Sequence, residues 1–445
     1  MSVEEAGLSD KPESGPVVIV LAAGAGARMR SSRSKLLHAI GGHSLLRHVL
    51  DAVEIVEPSQ LVVVVGYQAD LVGAQLAEFA PGARLAVQET PLGTADAVAV
   101  GLGVLDGLGD NALVQVVFAD MPLLGGDTLT AIIETHKAQG DAATSLAPVE
   151  ENEAETGLYV FDFGPLTASL ADIGQDRDGT SLADVLDHVK SDGCQVGVFR
   201  LEDQWQARGV DDRVQLASLN AEYNRRQVEH WMRAGVTVMD PASTWIEADV
   251  DLAEDVTLLP GTMLIGATSV ARGAVVGPET TIKDSEIGED AVVARSTVEL
   301  SVVGDGAQIG PYARLRPGTQ VGAGGVVGTF VETKNATIGA GARLGHLTYC
   351  GDTNLGDQVD VGASAVFANW DTTNRSRIDV GAAAIIGAGA LIVPPAVIDA
   401  KAVVPPGATI TPPPPETDIE LSQEPRRSSL IDGSDAAKRG LKEDK

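Results

Sequence analysis

The chain has 445 residues, enough for two or three domains, and its net charge of -30 argues against general nucleic-acid binding, which needs a basic face. No apolar run approaches the roughly 18 residues that span a bilayer, and the polar, acidic N-terminus is not a signal peptide. Cys194 and Cys350 give no disulfide framework. We therefore expect a cytoplasmic protein without a membrane or nucleic-acid partner.

The first half of the chain alternates aliphatic runs with helical patterns. Continuous aliphatic stretches at 17–21, 61–66 and 114–120 are typical of buried parallel strands, and helical spacing occurs at 44–53 and near 92–106 and 127–138. This alternation predicts an α/β domain with a mostly parallel sheet. Ligands of such sheets bind at the carboxyl ends of the strands, where the AAGAGAR loop and Asp120 fall.

The loop after the first strand, LAAGAGARMRSSRSK, is rich in glycine and in basic residues. Residues 14–50 contain no Asp or Glu, yet they carry Arg28, Arg30, Arg33, Lys35 and Arg47. Met29 replaces the third glycine of a dinucleotide fingerprint, and the GK[ST] of a Walker A loop is absent. The remaining interpretation is a nucleotidyltransferase loop, whose backbone N–H groups hold a triphosphate while Arg28 and Lys35 offset its charge.

The second half of the chain is repetitive. One long amphipathic helix is predicted at 211–234, and the pattern then changes completely. From about 250 to 410, aliphatic-glycine pairs recur, and five of their intervals are six residues long. This period is typical of a parallel β-helix, in which one aliphatic side chain per hexapeptide points into a narrow prism. A glycine-rich linker would lack such spaced aliphatics.

These patterns divide the chain into five segments. They are a disordered N-terminus at 1–15, a Rossmann-like nucleotidyltransferase domain at 16–210, a linker helix at 211–240, a β-helix at 241–410 and a disordered tail at 411–445.

A single histidine, His346, stands in the repeat region, in the stretch GHLTYCGD. Neutral imidazole is the ordinary general base near pH 7, although a histidine on a repeat turn is more often a plain surface residue. The preceding turns carry Arg314, Arg316, Glu332 and Lys334, so stacked coils would gather cations and a carboxylate beside it, as an amino-sugar phosphate requires. A nucleophile pair with the cysteine four residues later is a weaker alternative, because nothing favours a lowered thiol pKa.

Both halves contain motifs of a known enzyme family. The glycine loop resembles the signature of sugar-nucleotide pyrophosphorylases, and VQETPLGTADA and FADMPLL are similar to that family's uracil-reading and metal-binding segments. ARLRP, FVETK and GHLTYCGD resemble the acetyltransferase domain of the bifunctional N-acetylglucosamine-1-phosphate uridyltransferase / glucosamine-1-phosphate N-acetyltransferase family. The resemblance covers roughly residues 17–410 in the same domain order. It implies a left-handed, trimeric β-helix and the synthesis of UDP-N-acetylglucosamine for cell-wall precursors.

For the first domain the resemblance implies Mg²⁺-dependent attack of a sugar phosphate oxygen on the α-phosphorus of UTP, with loss of pyrophosphate. Arg28 and Lys35 would contact the triphosphate, and Asp120 with Asp211, where the family usually has Asn, would bind the metal. The implied nucleotide-binding residues are Leu21, Ala22, Ala23, Gly24, Lys35, Gln88, Gly93, Thr94, Phe118, Ala119, Asp120, Glu155 and Asp211.

For the β-helix the resemblance implies acetyl transfer from acetyl-CoA to an amino-sugar phosphate. His346 would deprotonate the substrate amine, and Glu332 would orient the imidazole. The implied contacts to the sugar phosphate are Arg316, Lys334, Tyr349, Asp360 and Asn369. The implied contacts to acetyl-CoA are Ala363, Asn369, Trp370, Ala388 and Pro406.

The chain departs from the family pattern at four places. Residues 143–160 lack the strand-loop-strand excursion that carries a GYGR motif and a Glu for the N-acetylglucosamine moiety. Glu155 and Asp360 each replace an Asn, and Ala388 and Pro406 replace a Ser and an Ala. Three alternatives therefore stay open. They are an acetyltransferase with a decayed first domain, a pyrophosphorylase for another sugar, and a non-catalytic trimeric scaffold.

Overall fold

The computed structural model describes residues 15–109, 111–147, 156–173, 179–370 and 375–412. Most of the two ends predicted to be disordered lies outside these ranges, and so does Glu155. Within the described ranges, none of the helices combines the length and the apolar character that crossing a membrane requires.

The first domain is built on a seven-stranded sheet. In spatial order its strands are β5 (Arg84–Val87), β4 (Gln60–Val65), β1 (Val17–Ala22), β6 (Leu113–Phe118), β8 (Leu158–Asp162), β7 (Ala143–Leu146) and β9 (Val196–Phe199). Strand β8 runs antiparallel to β6 and β7, and the other pairs are parallel. The three aliphatic runs predicted as strands are β1, β4 and β6, which lie side by side and are covered on both faces.

Helices cover both faces of this sheet. One layer contains α1 (Leu45–Glu54), α2 (Ala69–Phe79) and α4 (Gly126–Gln139), and the other contains α3 (Thr94–Leu102), α5 (Phe163–Ile173) and α6 (Leu182–Ser191). Val18 and Val20 pack into the first layer, whereas Val17 and Ile19 pack into the second. Alternate side chains of β1 thus reach opposite layers, as the pleat of a strand requires. A short hairpin of β2 (Ala39–Ile40) and β3 (His43–Ser44) precedes α1.

The predicted linker is a single helix, α7 (Arg213–Arg233), that contacts both domains. Asp212 caps it, because its carboxylate accepts from the backbone N–H groups of the first turn. Leu219 packs in a small cluster of the first domain, whereas Val228 belongs to the β-helix core. The Asn224 amide hydrogen-bonds to the backbone of the first coil, so α7 is fixed at both ends.

Beyond α7 the chain forms a three-sided prism of parallel sheets, which we call faces 1, 2 and 3. Face 1 contains β10 (Thr237–Val238), β13 (Thr257–Leu258), β16 (Val275–Val276), β19 (Val292–Val293), β22 (Gln308–Ile309), β25 (Val326–Val327), β28 (Arg343–Leu344), β31 (Asp360–Val361), β34 (Ile385–Ile386) and β37 (Val403–Val404). Face 2 contains β11 (Trp245–Ile246), β14 (Met263–Ile265), β17 (Thr281–Lys283), β20 (Thr297–Glu299), β23 (Arg314–Leu315), β26 (Glu332–Lys334), β29 (Tyr349–Gly351), β32 (Val366–Phe367), β35 (Leu391–Ile392) and β38 (Thr409–Ile410). Face 3 contains β12 (Asp251–Leu252), β15 (Ser269–Val270), β18 (Glu286–Ile287), β21 (Val302–Val303), β24 (Gln320–Val321), β27 (Thr337–Ile338), β30 (Thr353–Leu355), β33 (Ile378–Val380) and β36 (Ala396–Ile398).

Each coil visits the three faces in turn, so every strand pairs with the strand three places later in the sequence. The fold is the parallel β-helix that the hexapeptide period predicted, and it is left-handed, as the family resemblance implied. Leu315, Thr333, Cys350 and Phe367 occupy successive interior positions of face 2 and are fully buried. Residues at equivalent positions of successive coils therefore form continuous rows along the outer surface of the prism.

Candidate functional sites

A pocket of about 880 Å³ opens at the carboxyl ends of β1, β4 and β6. The predicted residues that line it are Leu21, Ala22, Ala23, Gly24, Arg28, Lys35, Gln88, Gly93, Thr94, Phe118, Asp120 and Asp211. Ala119 is not part of this lining, because its side chain is buried in the helical layer that contains α1 and α4. The pocket thus joins segments that are far apart in the sequence.

Lys35 lies between two carboxylates at the centre of this pocket. Its ammonium contacts Asp120 directly and lies 3.4 Å from Oδ1 of Asp211. The same oxygen of Asp211 lies 2.9 Å from Nη2 of Arg28. The side chains of Lys35 and Asp120 are only 11% and 17% exposed, whereas that of Arg28 is 72% exposed. Two cations and two carboxylates therefore face one another where a triphosphate and its counter-ion would bind.

The loop that carries Lys35 is held by two features. Gly26 has φ 63, and a Cβ there would lie 2.7 Å from Cβ of Lys35, so only glycine lets the lysine stem pass. The Gln68 amide accepts from the N–H of Ser34 and donates to the carbonyl of Ser32, with both distances at 2.7 Å. This double contact fixes Ser32 and Ser34, in the segment that leads into Lys35.

The other end of the pocket is formed around Gln88 and the glycine-threonine turn. The buried Gln88 amide donates to the Gly93 carbonyl at 3.1 Å and to Asp96 at 2.8 Å. Gly93 has φ 121, and a Cβ there would lie 2.3 Å from the Thr180 carbonyl, so a second loop closes tightly over this turn. The segment predicted to bind the base is therefore held by the Gln88 amide and by the loop that contains Thr180.

The pocket also contains residues that no sequence motif indicated. They include Tyr67, Thr156, Gly179, Thr180 and Ser181. A local signal was present for the last of these, because Ser181 and Asp184 form a capping box at the start of α6. The bonds from Ser181 hold the pKa of the Asp184 carboxyl below its ordinary value. The capping box predicts where α6 begins, and the fold then places that turn at the pocket.

The carboxylates of Asp120 and Asp211 fit a Mg²⁺ site. Both already face one cation, the Lys35 ammonium, and carboxylate oxygens are the ligands that Mg²⁺ prefers. No group of three or more acidic, histidine or cysteine side chains suited to a metal occurs among the described residues. Two carboxylates are nevertheless sufficient, because Mg²⁺ in such sites takes further oxygens from phosphates and water.

The second predicted site lies on face 2 of the β-helix. Glu332 and Tyr349 are in register on adjacent coils, and Lys334 follows on the same strand as Glu332. Nη1 of Arg316 donates to Oε1 of Glu332 at 2.8 Å. Partial burial raises the pKa of the Tyr349 phenol, an effect that Arg316 opposes and Glu332 reinforces, so the phenol remains a proton donor near neutral pH.

His346 lies at the corner between faces 1 and 2, in a row that continues along the prism. The row contains Thr329, His346, Ala363, Ala388 and Pro406, and successive coils are joined there by backbone hydrogen bonds. Three residues predicted to contact acetyl-CoA therefore follow His346 in one straight row. Among the described residues, no side chain donates to or accepts from the His346 imidazole, which is exposed.

The remaining predicted residues lie elsewhere on the prism. Asn369 and Trp370 follow β32 and therefore lie at the opposite corner of face 2, between faces 2 and 3. Asp360 is on face 1, in register with Arg343. The structure thus brings Arg316, Glu332, Lys334 and Tyr349 together and places the other predicted residues on their flanks.

The weaker alternative of a Cys350–His346 nucleophile pair is wrong. Cys350 points into the prism interior and is fully buried, whereas His346 is on the outer surface. Burial raises the pKa of the Cys350 thiol to about 12, so the thiol is protonated at neutral pH and is inert.

The chain matches a family model described as a MobA-like NTP transferase domain over residues 18–210. It is 41% identical to the Bifunctional protein GlmU of Kineococcus radiotolerans, over 97% of this chain and 94% of the relative. It is 43% identical to the Bifunctional protein GlmU of Cutibacterium acnes, over 78% of this chain and 91% of the relative. A solved structure, that of the 4-diphosphocytidyl-2C-methyl-D-erythritol synthase of Anaerococcus prevotii, is 17% identical with a TM-score of 0.37, over 47% of this chain and 98% of that chain.

The alignments with these two relatives cover 97% and 78% of this chain, so each alignment extends into both domains. An NTP transferase domain at 18–210, followed by a β-helix with a second cluster of cations, is the architecture that the sequence motifs implied. The chain therefore belongs to the bifunctional GlmU family.

Proposed function

We propose that the chain makes UDP-N-acetylglucosamine in two steps. The β-helix transfers an acetyl group from acetyl-CoA to glucosamine 1-phosphate, and the first domain then transfers a uridylyl group from UTP to N-acetylglucosamine 1-phosphate. Family membership supports the pair of activities. The observation that carries the proposal is the meeting of Lys35, Asp120 and Asp211, from three separate segments, in one pocket at the strand ends.

In the first domain the protein's task is to align and to neutralise charge. Arg28 and Lys35 offset the charge of the triphosphate, and the Gln88 and Gly93 turn receives the base. Asp120 and Asp211 would hold Mg²⁺, which in such sites neutralises phosphate charge. The sugar phosphate oxygen bonds to the α-phosphorus of UTP while the bond to the leaving pyrophosphate breaks.

On the β-helix His346 is the general base of the proposed reaction. Its neutral imidazole accepts a proton from the substrate amine, and the amine nitrogen attacks the thioester carbonyl carbon of acetyl-CoA. The carbon–sulfur bond breaks, and the imidazolium returns the proton to the departing sulfur, so coenzyme A leaves as its thiol and His346 is neutral again. Arg316, Lys334 and the Tyr349 phenol bind the sugar phosphate, and the row of Ala363, Ala388 and Pro406 contacts acetyl-CoA.

Two assays on one purified chain test the proposal. Acetylation of glucosamine 1-phosphate and pyrophosphate release from UTP with N-acetylglucosamine 1-phosphate should both be detected. His346→Ala should lower acetyl transfer by about 10²–10⁴-fold and leave pyrophosphate release unchanged. Pyrophosphate release without acetyl transfer in the unsubstituted chain would contradict the proposed acetyltransferase activity. Acetyl transfer without pyrophosphate release would contradict the proposed uridyltransferase activity.

We also propose that the chain works as a homotrimer in the cytoplasm. Tyr312, Phe330 and Leu347 form an apolar stripe at the corner beside His346, and each is more than half exposed. The Tyr312 and Phe330 rings stack with centroids 5.2 Å apart, which gives a preformed surface for another chain. Light scattering should give three times the chain mass, and a monomer would contradict the proposal. The two unpaired cysteines support a reducing compartment.

A further inference from the structure

One carboxylate, that of Asp352, joins three coils at the corner between faces 2 and 3. Asp352 follows β29, has φ 47, and lies one coil after Asn335 and one coil before Asn369. Nδ2 of Asn369 donates to Oδ2 of Asp352 at 2.7 Å. Nδ2 of Asn335 donates to the other oxygen, Oδ1, at 2.5 Å. Both oxygens of this carboxylate are therefore used by asparagine side chains from neighbouring coils.

The chemistry of this contact determines how the Asn369 amide is oriented. An ionised carboxylate can only accept hydrogen bonds, so the group that Asn369 presents to it must be the NH₂. The carbonyl oxygen Oδ1 is consequently directed away from Asp352. Without the carboxylate, rotation about the last bond of the side chain would exchange the NH₂ and the oxygen at little energetic cost.

We propose that Asp352 is a positioning residue for acetyl transfer. It holds the Asn369 amide so that Oδ1 accepts a hydrogen bond from the amine of the amino-sugar phosphate. Because Asn369 and His346 lie at opposite corners of face 2, the two side chains would meet at one amine from different chains of the proposed homotrimer. Asp352 contacts no substrate atom itself and acts through Asn369. The inference rests on the proposed acetyltransferase function and adds to it the residue that sets the direction of this acceptor.

The charges on face 2 agree with this orientation. Lys334 directly precedes Asn335 and, with Arg316, presents two cations on the outer surface next to this corner. A phosphate would bind the cations, and an amine needs an acceptor such as the Asn369 carbonyl. An amide turned the other way would present a second donor to the amine, and the amine would lose its partner.

A double-mutant cycle tests whether Asp352 acts through Asn369. Asp352→Ala and Asn369→Ala should each lower kcat/KM for acetyl transfer by about 10- to 100-fold, the range for losing a charge-assisted or substrate hydrogen bond. The double variant should be no worse than Asn369→Ala alone, because Asp352 has no target once the amide is absent. Asp352→Asn keeps an acceptor oxygen and should recover activity to within about fivefold.

The chain offers a matched control on face 3. Nδ2 of Asn354 donates to Oδ1 of Asp379 at 2.6 Å, which is the same kind of bond between successive coils on another face. Asp379→Ala should leave acetyl transfer unchanged. Asn335→Ala removes the other bond to Asp352 and should also have little effect. Pyrophosphate release by each variant reports whether the rest of the chain is folded.

The outcomes separate the inference from the function on which it rests. Suppose that the unsubstituted chain acetylates its substrate, but the loss of kcat/KM in the double variant equals the product of the two single losses. Asp352 then acts independently of Asn369, and the inference is overturned. Unchanged activity of Asp352→Ala overturns it too. If Asp352→Ala fails to fold, a loss of about 10-fold or more in a folded Asp352→Asn overturns it. An unsubstituted chain that releases pyrophosphate but transfers no acetyl group overturns the proposed function as well.

Discussion

At the scale of single residues, burial decides which charges matter. Surface ion pairs contribute little, because water and salt screen them. Lys35 and Asp120 are the opposite case, since both side chains are largely removed from water and face each other across a pocket. Replacing only one residue of such a pair lowers the stability of the protein, because the charge of the other residue is left buried without a partner. Lys35 is therefore the residue of the first site whose loss we expect to be most damaging.

We predict that Lys35→Met lowers the rate of pyrophosphate release by at least about 100-fold, because the central cation that we propose to bind the phosphates is lost. Acetyl transfer by the same chain should be unaffected, since Lys35 makes its contacts entirely within the first domain. Lys137→Met, in the last turn of α4, removes the same charge away from the pocket and should change neither activity. A Lys35→Met chain with normal pyrophosphate release would exclude Lys35 from the site.

Sequence reasoning predicted that the first-site residues lie together only where strand geometry alone decides. Asp120 directly follows a predicted strand, and the glycine loop follows another, so both had to meet at one edge of the sheet. The Asp352 contact with Asn369 was beyond this reasoning. This contact depends on which corner residues of successive coils are in register. The coils differ in length, so a simple count of repeats cannot predict that register.

At the scale of elements, strong periodicity was informative and weak amphipathicity was not. The six-residue period predicted the β-helix, because each short strand has one interior position and that position is most often filled by an aliphatic side chain. No pattern had indicated α2, which buries only Val72 and Leu76 against the sheet. A helix with two buried positions carries too little contrast between its faces to be recognised from sequence.

We predict that Phe367→Ala lowers the free energy of unfolding of the β-helix by about 3–5 kcal/mol, because it leaves a cavity in a closed prism. Phe367 is fully buried and packs between the coils of Cys350 and Ile392. Val366 precedes it on the same strand but faces outward, so Val366→Ala should cost no more than about 0.5 kcal/mol. Denaturant titration at one protein concentration makes the comparison, and equal costs would contradict the inward assignment of Phe367.

At the scale of the whole molecule, the hairpin of β2 and β3 joins the first domain to the first coil. Nε2 of His43 lies 2.9 Å from Oδ1 of Asp249, and the backbone N–H of Ala248 donates to the Gly41 carbonyl at 2.9 Å. The hydrogen bond with Asp51 raises the pKa of the His43 imidazole, burial lowers it, and Asp249 raises it further. Nothing in the sequence could have paired two residues that are more than 200 positions apart.

We predict that this junction stabilises the protein in a pH-dependent way. Because the folded-state pKa of His43 is raised, its contribution is fully present below its ordinary pKa of 6.5 and is lost as pH rises through the raised value. His48, whose pKa is lowered mainly by burial, has the opposite dependence, so the comparison must isolate His43. The Tm of the unsubstituted chain minus that of His43→Gln should be positive at low pH and shrink above about pH 6.5. A constant difference would contradict the prediction.

The first domain should function without the β-helix, provided that α7 is kept. Leu219 packs with Met29, which lies in the glycine-rich loop after β1, and Nε of Arg213 donates to the Met29 carbonyl at 3.3 Å, so the first half of α7 completes that domain. We predict that a fragment ending at Ala234 folds and releases pyrophosphate at a rate comparable to that of the full chain.

A fragment ending at Asp212 lacks α7, exposes the cluster around Met29 and should lose both stability and activity. Circular dichroism and the pyrophosphate assay compare the two fragments. A longer fragment that is folded but inactive would mean that the β-helix contributes to nucleotidyl transfer through the contacts of His43 and Gly41. A shorter fragment with full activity would instead assign α7 to the β-helix alone.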